Sequence, residues 1–175
     1  MIFGRLAMNA QGRFCGVFLL LSADSEYPRS AVGLESIEHT VQLTHKWIND
    51  FDARLGWGDK HRSFRLLRTV LQALGDWLSV NAAANFGAQL PELLRGIYYE
   101  CWRPVATPVK QRRKADFMSR VNKAFKTDPI LFASETVTAV FALLSDKITA
   151  GEIEHVRHAS SADIRALCPP PSSAA

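Results

Sequence analysis

A chain of 175 residues, 47% apolar and 22% charged, has the composition of a water-soluble globule and excludes a disordered polymer. The formal net charge of +4 admits an anionic partner without requiring one. Three cysteines, Cys15, Cys101 and Cys168, are odd in number and lack Cys-x-x-Cys spacing, which argues against a disulfide framework or a zinc site and for a reducing compartment.

Residues 1–34 read as a flexible N-terminal extension. The apolar run Phe14–Leu21, preceded by Arg5 and Arg13, weakly imitates a secretory signal, and the alternative is an upstream start with Met8 as another candidate. No run approaches the roughly 18 consecutive apolar residues of a membrane span, so no membrane partner and a cytoplasmic location are expected.

From residue 35 the apolar positions recur every three or four residues, the helical period. Ile37, Val41, Ile48, Phe51 and Leu55 mark a first helix, closed by Gly56-Trp57-Gly58. Phe64, Leu67, Leu71, Leu74 and Leu78 mark a second, with Asp59 as its N-cap. A third begins near Ser79, and Pro91 starts a short fourth. Residues 103–114, with Pro104, Pro108 and several basic side chains, form a connector. Beyond it, Asp128-Pro129 predicts a capped helix start, Thr149 and Glu152 a capping box, and Ser160 or Ser161 a helix boundary. The tail 169–175 should be disordered. Sustained period-two alternation is absent, so no sheet is expected.

Shifting the chain by 70 positions lays Thr44–Tyr99 on Lys114–Pro169 without a gap. Trp47 then meets Phe117, Phe51 meets Val121, Val70 meets Val140, Leu74 meets Leu144, and Ile97 meets Leu167. The expectation is an all-α domain over 35–168, a helical bundle of two tandem pseudo-repeats of about four helices each. Repeat 1 spans about 37–102 and repeat 2 about 115–168, with the connector 103–114 between them.

Residues of possible function fall along the same register. There is no Gly-x-Ser-x-Gly, phosphate-binding loop, dinucleotide fingerprint or His-Glu-x-x-His, so no enzyme and no cofactor are expected. Glu152, His155 and His158 have spacings that metals use in bundles, but their counterparts Ala82, Asn85 and Ala88 cannot complete a site, so no metal is expected. Two pairs are identical at the repeat offset, Asp76 with Asp146 and Arg95 with Arg165, and an ion pair within each unit, Asp76–Arg95 and Asp146–Arg165, is one reading; unpartnered surface charge is the other. Lys110, Arg112, Arg113 and Lys114 head a basic stretch reaching Lys126 and interrupted only by Asp116, which suits phosphate or mere solvation. Trp57, Trp77, Tyr98 and Trp102 are aromatic where repeat 2 is smaller or polar, or lies beyond the alignment; they either anchor a partner or fill the seam between the repeats.

The string Gln89-Leu-Pro-Glu-Leu-Leu-Arg-Gly-Ile-Tyr-Tyr-Glu-Cys-Trp102 resembles the signature of a bacterial family, domain of unknown function 2267. Ile148-Thr-Ala-Gly-Glu-Ile-Glu-His-Val-Arg157 is similar to that family's closing motif, and the resemblance runs from about Thr40 to Pro169. Ser160-Ser161 departs from the Leu-Pro often found there. The resemblance implies a helical bacterial domain and brings no activity with it. A non-enzymatic interaction or scaffold module with a protein partner is the resulting expectation, and weak nucleic-acid binding through 103–126 is the alternative.

Overall fold

The computed structural model describes residues 35–110 and 112–168. The expected extension 1–34 and tail 169–175 lie outside these residues. Among the described residues there are eight α-helices, α1 (Glu35–Leu55), α2 (Lys60–Trp77), α3 (Val80–Ala88), α4 (Glu92–Tyr99), α5 (Lys114–Ala124), α6 (Ala133–Lys147), α7 (Ala150–Ala159) and α8 (Ala162–Arg165). A single 3-10 turn covers Pro104–Ala106, and among the described residues there is no strand.

Local chemistry sets most helix ends. Gly56 and Gly58 adopt φ values of 65° and 64°, a left-handed geometry that glycine tolerates without a Cβ clash and that turns the chain after α1. The Asp59 carboxylate then accepts the Arg62 N–H at 3.0 Å and caps α2. Buried Asp52 reinforces this turn by accepting from the Asp59 N–H at 3.2 Å and the Ser63 hydroxyl at 2.6 Å. Ser79 caps α3, accepting from the Ala82 N–H at 3.3 Å.

Two expected starts differ. Asp128 does not cap α6, which begins only at Ala133, because its carboxylate pairs with Arg62 and Arg65 of α2. Thr149 does precede α7, but its hydroxyl makes no capping bond, so the box with Glu152 is not formed.

The helices pack around α2, which touches α1, α3, α4, α5 and α6. Its stripe of Leu66, Leu67, Val70, Leu71 and Leu74 is wholly buried, and each such side chain contributes roughly 1.5–3 kcal/mol through removal from water. Further contacts run α1 to α6 and α3 to α7, so one continuous core includes Phe51 and Phe86 together with Phe117, Val140 and Phe141. The connector is fastened down: Val109 N–H donates to the Asp76 carbonyl at 2.9 Å, and the Ser161 hydroxyl to the Arg112 carbonyl at 2.8 Å. Cys168 is a buried free thiol, whereas Cys101 is disulfide-bonded, contrary to the expectation from cysteine spacing.

Candidate partner-binding cleft

Where α1 crosses the α3–α4 turn, a cleft of about 490 Å³ opens at the protein surface. Trp47 and Leu90, 4% and 1% exposed, form its floor, and half-buried Leu43 and Pro91 its apolar walls. Lys46, Gln89, Asp146 and Lys147 supply a polar rim. The last turn of α6 is held against α1 by ion pairs, Lys147 to Asp50 and Arg54 to Asp146. The hydrogen bond from Lys147, ahead of the surrounding positive charge, holds the Asp50 carboxyl below the usual carboxylate range. Arg95 also borders the cleft, but its guanidinium is engaged in capping α3. The lining therefore offers apolar area with hydrogen-bonding edges.

A row of side chains on α1 leads up to the cleft. Ile37, Val41, Thr44 and Trp47 follow one another at spacings of four, three and three, which places them on one helix face. Ile37 is 56% exposed and Val41 37%, so this stripe runs from open surface into the cleft floor.

The paired charges form bonds different from those expected. Asp76 and Arg95 do not pair, nor do Asp146 and Arg165. Asp76 binds Arg120 of α5, and Asp146 binds Arg54 of α1. Arg95 instead donates to the carbonyls of Gly87, Ala88 and Leu90 at 3.0, 3.3 and 3.0 Å. Arg165 does the same to Arg157 and Ser160 at 2.9 and 3.3 Å. A carbonyl cluster at a helix C-terminus carries the negative end of the macrodipole, and a guanidinium fork satisfies it better than a distant carboxylate satisfies the arginine.

The aromatic residues do not form one exposed face. Trp77 is buried edge-on against Phe117 of α5, with ring centroids 5.4 Å apart. Tyr98 is buried and donates to the Ala83 carbonyl at 3.1 Å, and burial pushes its hydroxyl pKa up. Both are core residues and neither is available to a partner. Trp102 is half-buried, donating to the Gly75 carbonyl at 3.1 Å, and Trp57 lies beneath the Arg62 guanidinium at 4.3 Å.

Among the basic residues, Lys110, Arg112 and Lys114 are exposed, while Arg113 forms a forked pair with Asp116 at 3.0 and 3.3 Å. Glu152 meets His155 at 3.6 Å and His158 meets Glu154 at 3.0 Å, and among the described residues no three potential ligands converge on a metal position.

The cleft and the arginine caps went unread in the sequence. The caps had a signal, the identity of Arg95 and Arg165 in register. The cleft had none, because it depends on how α1 crosses a turn some 45 residues away.

These features define an all-helical domain with one shared core, and among its described residues no helix is long and apolar enough to cross a membrane. The model of the family described as uncharacterized conserved protein (DUF2267) matches residues 44–167, and the chain belongs to that family. No curated protein matches the chain.

Proposed function

We propose that the domain is a non-enzymatic interaction module of a bacterial cell whose partner is a protein segment laid along α1 and into the cleft. The observation that carries this reading is the unbroken stripe from exposed Ile37 and Val41 to the Trp47 floor. An amphipathic segment seated there would bury apolar surface at the centre and meet Lys46, Gln89 and Lys147 at the rim. A photoreactive side chain at Leu43, compared with one at exposed Asn81 on α3, tests it. The expected result is one protein crosslinked at position 43 and not at 81. Once that protein is purified, Val41→Asp should weaken its affinity by about tenfold or more. Equal labelling at both positions, or unchanged affinity, would refute the reading.

We infer also that the domain consists of two equivalent units, about 37–102 and 115–168. Supporting this, the Arg95 contacts with Gly87 and Leu90 recur 70 positions on as those of Arg165 with Arg157 and Ser160. Asp76 and Asp146, likewise 70 apart, each reach the first helix of the other unit.

A second reading keeps the connector as a weak nucleic-acid site, favoured by the exposure of Lys110, Arg112 and Lys114. It requires binding that falls steeply with salt and is lost when the three are changed to glutamine.

A further inference from the structure

We propose that the α5–α6 loop is a docking tip for the surface of an anionic phospholipid bilayer. This goes beyond the cleft, which lies elsewhere on the molecule, and it departs from the expectation of no membrane partner. Leu131 and Phe132 are adjacent, 90% and 66% exposed, among the most exposed large apolar side chains described. Single exposed apolar side chains are ordinary, whereas two adjacent ones form a contiguous apolar patch of the kind that marks a protein or membrane contact.

The loop presents them because its base is held. Asp128 is fixed by Arg62 and Arg65, the Pro129 carbonyl accepts from Arg62 at 3.2 Å, and Ile130 packs on the core. The delayed start of α6 at Ala133 leaves the next two residues standing outward. The positions 70 earlier are His61 and Arg62, inside helix α2, so the first unit has no such tip.

Charge around the tip identifies the occupant. Lys123 and Lys126 lie at the end of α5 and just past it, and Lys60 lies in the first turn of α2 that carries Arg62 to the loop. All three are exposed, and none has an ion-pair partner among the described residues. Of the acidic groups on the same elements, Asp128 is neutralised by two arginines, Asp59 accepts the Arg62 N–H as a cap, and Asp76, Asp116 and Asp146 are paired with Arg120, Arg113 and Arg54, leaving exposed Glu135. The balance is positive.

An acidic protein would need a pocket matched to two protruding side chains, whereas a bilayer accepts them without shape complementarity. Lysines on flexible stems suit that diffuse negative surface better than geometry-bound recognition. Each lysine near anionic headgroups strengthens binding about fivefold, and insertion of Leu131 and Phe132 adds to it.

Flotation of the full chain with phosphatidylcholine vesicles, with or without about one-third phosphatidylglycerol, tests the proposal. Wild type should float with the anionic vesicles only, and release as salt is raised to about 0.5 M. Leu131→Ser with Phe132→Ser should lower binding by about tenfold or more at an unchanged melting temperature, since neither side chain is in the core. Lys123→Gln with Lys126→Gln should lower it with the tip intact. Failure to float, or flotation that survives loss of the Leu131–Phe132 pair, overturns the proposal. So does a serine variant that loses a purified protein partner while wild type ignores both vesicles, which would assign the tip to protein recognition. Because Val41→Asp acts only on the cleft, its effect on partner affinity and the vesicle result fail independently.

Discussion

Replacing Gly87 by alanine should destabilise the domain even though alanine is the better helix former. Gly87 lies in α3 beneath the Tyr99 ring, and a Cβ there would stand 2.6 Å from Cζ and 3.0 Å from Cε2. To reach ordinary contact the ring must retreat by about 1 Å. It has little room, because Tyr99 packs against Tyr98 and Trp102 at centroid distances of 4.9 and 5.2 Å. Its hydroxyl also donates to the Ala83 and Ala84 carbonyls at 3.4 and 3.3 Å. Overpacking of this kind costs about 1–3 kcal/mol, and two long, half-exposed hydrogen bonds add up to about 1 kcal/mol. Against this, the propensity gain one residue from the helix end is below about 1 kcal/mol, so a net loss of about 1–3 kcal/mol is expected. Urea denaturation followed by helical circular dichroism measures it, in wild type and in a Tyr99→Leu background. With the phenol gone, Gly87→Ala should be neutral or stabilising, which makes the coupling between the positions itself about 1–3 kcal/mol. Equal effects in both backgrounds, or a stabilised single variant, would refute the reasoning.

Arg95→Ala removes three donors from the end of α3 and should cost about 1–2 kcal/mol in the same assay, with Arg95→Lys restoring only part because an ammonium cannot fork. Asp76→Asn should cost about 1 kcal/mol and Asp146→Asn only a few tenths, since the two side chains are 22% and 50% exposed; high salt should shrink both differences. Burial pushes the Cys168 thiol from its ordinary 9.0 up to about 11, so the unfolded thiol ionises first. Stability from this group is complete below pH 9 and falls as pH rises toward 11, and Cys168→Ala should remove that part of the alkaline slope in urea midpoints taken against pH.

Helix existence was readable from the chain because period and cap act locally. Asp59 and Ser79 cap α2 and α3 as their sequence context indicates, since a short side chain needs only its own next turn to bond. Asp128 has the same local signature and fails, because Arg62 and Arg65 arrive from a helix more than 60 residues earlier and take its carboxylate. The Asp76–Arg95 and Asp146–Arg165 pairs, one of the two readings of those charges, fail for a related reason. Identity at a fixed offset marked Asp76, Asp146, Arg95 and Arg165 as constrained, but identity does not name the bonding atom, and backbone carbonyls do not appear in a side-chain pattern.

On the two-unit reading, positions that behave alike in both halves hold the fold: Arg95 and Arg165 cap, Asp76 and Asp146 tie each second helix to the opposite first helix. Function is then to be sought where the halves differ. Gly87 and Tyr99 give way to Arg157 and Pro169, but that change is absorbed by packing in the first half. Trp77 gives way to Lys147, and this changes the seam itself: Trp77 is buried on Phe117 with Arg120 at 6.0 Å, while Lys147 reaches Asp50 at the rim of the cleft. The same kind of difference replaces helical His61 and Arg62 with the outward Leu131 and Phe132. Only the second asymmetry leaves side chains exposed that the core does not need: Leu131 and Phe132 stand in water, whereas Lys147 is half-buried in its pair with Asp50. Substitutions at the shared positions should therefore move stability, and substitutions at this exposed difference should move binding while leaving stability nearly unchanged.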